Sequence, residues 1–309
     1  MEIDLVAQLE ALGYKARLVP VVHLEELGQE FRTVYRQGLL DEELYQRYLT
    51  RFSFTFPEAL PQAQSILVVA TPQPQIRVTF TLDGRSLPLV APPTYLFGEA
   101  VLQRLAITLS DLLAPHGYRI APASLPLKLL AVHSGLAAYG KNNISYVEGL
   151  GSFHRLAAFF TDLPGRQDPW QELHMLAACR NCSACQRRCP TGAIARDRFQ
   201  LHAERCLTFH NEKASEIAFP GWINPSWHNS LVGCMRCQLI CPQDKEFWGW
   251  VEVGPSFTEE ETCLLLQGVP FEQLPTSLAQ KVAQADLVEL LEVLPRNLSM
   301  FFGREQLAV

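Results

Sequence analysis

Nine cysteines dominate the chemistry that this chain can do. Cys179, Cys182, Cys185 and Cys189 stand in CRNCSACQRRCP, a C-x2-C-x2-C-x3-C-P run. In bacterial ferredoxins three thiolates of such a run hold one 4Fe-4S cluster and the fourth reaches a second. The short gaps wrap three sulfurs round a cubane, and Pro190 turns the chain away after the last ligand. A second run, GCMRCQLICP, supplies Cys234, Cys237 and Cys241 and is one cysteine short, which Cys206 upstream makes good. Crossing the fourth ligands as ferredoxins do gives Cys179, Cys182, Cys185 and Cys241 to one cluster, and Cys189, Cys206, Cys234 and Cys237 to the other. Two structural zincs or a disulfide framework are the alternatives. Zinc modules pair C-x2-C units across a longer gap, which the triplet matches poorly. Cys263, in ETCLLLQ, lies outside both runs and reads as an inert helix thiol.

Two clusters alone need far less than 309 residues, so the remainder must do something else. The segment HSGLAAYGKNN (His133 to Asn143) and the glycines at 149 and 151 lie just upstream of the cysteines. Glycines let backbone approach a large planar ligand, and Lys141, Asn142 and Asn143 can donate hydrogen bonds to amide or phosphate groups.

The elements that must position these groups follow from periodicity. Residues 3–12 have helical spacing and stop at Gly13; residues 16–22 read as a strand, and Asp41 can cap a helix. SILVVAT (Ser65 to Thr71) suits a strand buried on both faces, and residues 76–82 alternate before the Asp83-Gly84 turn. Residues 94–113 carry a helical pattern, residues 156–162 a strand, and residues 277–294 an amphipathic helix. The expected fold class is α+β, with a mixed sheet in the core. The expected domains are an α/β domain over 1–170, a ferredoxin-like double-cluster module over 171–250, and a C-terminal helical segment over 251–309.

A hydrophobic content of 48% suits a globular core, and the net charge of −6 argues against a protein mainly built to grip a nucleic-acid backbone. The longest apolar runs fall short of the roughly 20 residues that a bilayer span needs. The start MEIDLVAQLE is acidic and lacks a twin-arginine pair, which predicts a cytoplasmic chain, where thiols stay reduced and serve metals.

SGLAAYGKNN, then GS, FFTDLP, CRNCSACQRRCPTGAI, RCLTF and GCMRCQLICP together resemble the core of epoxyqueuosine reductases and their relatives the reductive dehalogenases. That resemblance implies a cobalamin-dependent, double-cluster enzyme whose corrinoid domain has a nitroreductase-like fold. It places Gly135, Leu136, Tyr139, Gly140, Lys141 and Asn142 against a base-off cobalamin. It also implies a proton-donating aspartate ahead of the glycine motif, yet Ile120 to Gly135 holds no acid: Ala121 falls near that aspartate and Lys128 where an arginine stands. Tyr95, Tyr139 and His133 are the substitute proton donors to consider.

The expected function is a corrinoid-binding iron-sulfur oxidoreductase that passes low-potential electrons through two 4Fe-4S clusters to cobalamin. The first alternative is an epoxyqueuosine reductase or another cobalamin-dependent reductase, and the second a non-catalytic ferredoxin-type carrier. The partners expected are a corrinoid and a low-potential donor such as ferredoxin or flavodoxin; neither a membrane nor tRNA is expected.

Overall fold

The computed structural model describes residues 3–302. Among them nine strands occur: β1 Lys15–Pro20, β2 Ser65–Pro72, β3 Gln75–Leu82, β4 Arg85–Ala91, β5 Ile120–Pro122, β6 Ala137–Tyr139, β7 Ser145–Val147, β8 His154–Thr161 and β9 Val251–Phe257. No helix among the described residues is long and apolar enough to cross a membrane.

The chain divides into two compact units. The first takes the residues up to Gln73, then Gly98–Ser183 and Ile194–Ala203. Its main sheet has the order β1-β2-β8-β5, and every pairing in it is antiparallel. The mixed sheet expected within residues 1–170 is not this one but the sheet that contains β3 and β4. What the apolar run of β2 reported was burial: helices cover both faces, so side chains of both alternations are enclosed whatever the strand direction. Ile66, Val68, Ala158 and Phe160 point to the face packed by Leu27, Leu130 and Val132. Leu67, Val69, Ala157 and Phe159 point to the other, packed by Leu5, Leu9, Leu105 and Leu109. The apolar helix positions thus lie on Leu5–Ala11 and Gly98–Leu113 on one side, and on Leu24–Arg36 and Leu127–His133 on the other. A two-stranded ribbon, β6 with β7, carries the glycine motif.

The second unit takes Pro74–Phe97, Ala184–Ala193 and the residues from Glu204 onward. Its sheet, β4-β3-β9, is the mixed one: β3 pairs β4 antiparallel and β9 parallel. Asp83 (φ 51°) and Gly84 (φ 69°) both adopt the left-handed conformation between β3 and β4, as a two-residue hairpin turn of the right twist requires. Phe80 stacks on Phe257 at 5.2 Å, and Val78, Leu265, Leu278 and Leu298 complete the core. The helix expected over residues 277–294 is broken. It runs Thr276–Gln284, gives way to a short 3-10 turn at Val288–Leu290, and a separate helix follows at Leu294–Phe302. Asp286 sits at φ 57° in the gap, its carboxylate accepting from the Phe97 amide, so a tertiary contact ends the helix that the apolar periodicity alone would continue. The helix expected from residue 94 starts at Gly98, after Phe97 at φ 59°.

Candidate functional site

In the second unit, Cys206 is the N-cap residue of the short helix Leu207–Asn211, beside that helix's first free amides. The backbone N–H groups of Thr208 and Phe209 favour the Cys206 thiolate, and that of Arg236 the Cys234 thiolate. Burial pushes both thiols above the ordinary cysteine range, and the neighbouring Cys189 acts on each in the same direction. Cys189, Cys206 and Cys234 are therefore gathered closely enough to feel one another, with amides aimed at sulfur. This donor set fits a 4Fe-4S cluster, in which iron replaces the thiol protons and N–H···S bonds neutralise sulfur charge. All nine cysteines are free thiols, which removes the disulfide alternative.

Tyr95 belongs to this same environment. Its hydroxyl donates to the Glu212 carboxylate, and its ring lies so close to Gly233 that a Cβ there would stand 2.7 Å from the hydroxyl oxygen. Burial first, then Glu212, raise the phenol well above its ordinary value. A phenol held in this way parts with its proton reluctantly.

In the first unit, the glycine motif grips the arm that leads into the first cysteines. The Gln171 amide donates to the His133 carbonyl (2.9 Å), Tyr139 exchanges backbone bonds with His174 (3.1 Å) and Leu176 (2.9 Å), and Lys141 Nζ donates to the carbonyls of Cys182 (2.8 Å) and Arg180 (3.4 Å). Gly135 is left-handed at φ 71°, and a Cβ there would meet Gln171 Nε2 at 3.1 Å. At Gly140 a Cβ would fall 2.4 Å from Asn142 Oδ1 and 2.6 Å from Tyr146 Cε2. Asn142 is buried and donates to the Tyr146 hydroxyl at 2.9 Å. Leu136 and Tyr139 are part of the apolar core, and burial raises the Tyr139 phenol far above 10. The six residues expected against a corrinoid thus also make contacts within the chain. Lys128 Nζ donates to the Asn143 carbonyl at 3.1 Å, and Ala121 lies in β5 opposite Phe160.

His133 has the most distinctive proton chemistry of this unit. Its Nδ1 meets the Gln171 carbonyl and its Nε2 the Glu30 carboxylate, both at 2.6 Å. Burial alone would lower its pKa, but the Glu30 carboxylate and the Gln171 carbonyl outweigh it and hold the imidazolium above its ordinary value. Trp170 lies face to face between His133 (4.4 Å, 6°) and His23 (4.3 Å, 5°). His23 in turn faces two carboxylates, Glu26 (3.1 Å) and Asp168 (2.7 Å), and holds both below their usual range. Sequence reasoning missed Glu30, His23 and Trp170; the readable trace was Glu26 and Glu30, one turn apart on Leu24–Arg36.

Residues 178–244 match the family model for a 4Fe-4S double cluster binding domain, a range that encloses the seven cysteines of the two runs and Cys206. The chain is 32% identical to the epoxyqueuosine reductase of Pseudomonas aeruginosa over 146 residues, 47% of this chain and 39% of that one. It is 35% identical to the Escherichia coli epoxyqueuosine reductase over 133 residues, 43% and 31% of the two chains. These matches span less than half the length of either relative. A selenomethionine-labelled epoxyqueuosine reductase superposes with a TM-score of 0.65 at 18% identity, over 99% of this chain and 82% of that one. Another, bound to an epoxyqueuosine-modified tRNA-Tyr stem loop, superposes with a TM-score of 0.59 at 20% identity, over 93% and 76%. That complex corrects the expectation that tRNA is not a partner. Net charge is a property of the whole chain, whereas nucleic acid is met by a local surface. The chain is similar in sequence to the epoxyqueuosine reductases over less than half its length, has their fold, and carries a match to a 4Fe-4S double cluster binding domain.

Proposed function

We propose that this chain is a double-cluster iron-sulfur reductase of the epoxyqueuosine reductase kind, delivering two electrons singly to an oxidised nucleoside carried on tRNA. The observation that supports it most is the sequence similarity to epoxyqueuosine reductases together with a match to the double-cluster model that encloses every proposed ligand. It favours this reading over reduction of cobalamin itself, and over a carrier that turns over no substrate.

The ligands are Cys179, Cys182, Cys185 and Cys241 for one cluster and Cys189, Cys206, Cys234 and Cys237 for the other. The clusters supply low-potential electrons one at a time, from a donor such as ferredoxin or flavodoxin. Converting an epoxide to an alkene consumes two electrons and two protons and releases water, so the protein must also hold protons. His133 and Glu30 do this in the first unit. Both imidazole nitrogens are engaged, so a proton leaves His133 toward Glu30, the more exposed of the pair. Tyr95 and Tyr139, whose phenols burial raises, are the other candidate donors. A corrinoid is the further cofactor that the resemblance implies; the residues expected to line it are engaged within the chain, and no step is assigned to it.

The test is anaerobic. The reconstituted, reduced protein is incubated with an anticodon stem loop carrying epoxyqueuosine, and the digested nucleosides are read by mass spectrometry. Loss of one oxygen from the modified nucleoside is the expected result. An intact nucleoside from protein whose clusters are fully reducible would overturn the proposal, and reduction of added cob(II)alamin by that same protein would favour the corrinoid enzyme.

A further inference from the structure

The C-terminal helix Leu294–Phe302 sends two polar side chains, Arg296 and Asn297, into the interior of the second unit. Arg296 is 9% exposed, and its guanidinium reaches four backbone carbonyls of the loop that follows Cys206: His210 (2.9 Å), Lys213 (2.7 Å), Ala214 (3.2 Å) and Ile217 (2.6 Å). His210 and Ala214 also accept from the backbone amides of Lys213 and Ile217, so the guanidinium reinforces a turn that the backbone has already closed. Asn297 donates to the carbonyls of Asn211 (2.9 Å) and Leu231 (3.2 Å). Asn211 then clasps Gly233 at both of its backbone groups, at 2.6 and 2.8 Å, and Cys234 is the next residue. One dipeptide thereby ties together the two loops that carry Cys206 and Cys234.

The charge of Arg296 is as informative as its hydrogen bonds. The guanidinium lies over the Phe219 ring at 4.1 Å, and none of its hydrogen-bond acceptors is a carboxylate. Burial lowers the pKa of Arg296, and the acid that acts against this is Glu216, an exposed side chain. A buried cation without a paired anion is costly unless negative charge lies elsewhere within reach. Four thiolates round a 4Fe-4S core carry net negative charge in both working oxidation states, and reduction adds one more.

We propose that Arg296 and Asn297 are positioning residues for the cluster of Cys189, Cys206, Cys234 and Cys237, and that the Arg296 charge raises its reduction potential relative to its twin. The inference rests on the ligand assignment above. A buried positive charge stabilises the more negative, reduced cluster, which moves the midpoint upward.

The test is a redox titration of the full reconstituted chain, followed by EPR, for wild type, Arg296→Met and Arg296→Lys. In Arg296→Met one of the two cluster signals shifts to a lower midpoint and the other stays put; Arg296→Lys, which keeps the charge, recovers most of the shift. Wild-type midpoints for both signals in Arg296→Met would overturn the proposal. Should that variant fail to hold its iron, Asn297→Ala keeps the charge and loosens only the clasp: half of its iron is then lost to a chelator several-fold faster than in wild type, and uniform release at the wild-type rate would overturn the positioning role. Cys206→Ala separates the two layers of argument, because full iron retention there would sink the ligand assignment itself.

Discussion

His154 offers a quantitative check on the first unit. It opens β8 and is 4% exposed; its Nδ1 meets the Gly151 carbonyl at 3.1 Å and its Nε2 the Ser145 hydroxyl at 3.3 Å. The carbonyl can only accept, so Nδ1 carries the proton and Nε2 accepts from Ser145: the ring is neutral, and no acid stands by to balance a second proton. Burial lowers its pKa from 6.5 to about 4, against a smaller opposing effect of the Gly151 carbonyl. Because the folded value lies below the unfolded one, the unfolded chain binds the proton more readily. The stability tied to this group is therefore complete above about pH 6.5 and is lost as pH falls toward 4. The gap corresponds to about 3 kcal/mol in full, and to about 1 kcal/mol between pH 8 and pH 5.5, a range gentle on the clusters. Anaerobic urea unfolding of the holoprotein at those two pH values, for wild type and His154→Gln, isolates the effect. Every other titrating group is common to both proteins, so wild type should lose about 1 kcal/mol more than the variant on acidification. Parallel losses would mean that His154 protonates equally well folded and unfolded, and the neutral, buried assignment would fail.

Glu30→Gln removes the counter-charge of His133. Since the folded pKa of His133 is raised, the stability that the pair contributes is full below about pH 6.5 and is lost as pH rises through the raised value; the variant should lower the melting temperature more at pH 6 than at pH 8.5. Gly140→Ala places a Cβ 2.4 Å from Asn142 Oδ1 and should cost about 1–3 kcal/mol through forced repacking, read as a drop in urea midpoint. Lys141→Met removes the donor to the Cys182 carbonyl, so a chelator should strip one cluster faster than the other in an iron-release time course, while Lys141→Arg should behave much like wild type.

What the residues determined by themselves was the local and the covalent. Thiol spacing names the cluster because ligand geometry is set within a few bonds, and SILVVAT announces an enclosed strand because burial depends on side-chain type. Asp83-Gly84 marks its turn because both positions need a left-handed backbone. Whatever depends on two distant segments meeting was decided only by the tertiary structure. Strand direction is one such case, since an apolar run reads the same in either sense. The end of the helix at Gln284 is another, because it answers to a contact between Asp286 and Phe97. His133 looked like one histidine on an apolar helix, and only the fold brings Glu30, Gln171 and Trp170 to it from other stretches of chain. Arg296 likewise lies 90 residues beyond Cys206 in sequence, and its meaning comes from the carbonyls it reaches there. Local propensity acts over a few residues, whereas burial and charge pairing act over a few ångströms, and the fold alone converts the one distance into the other.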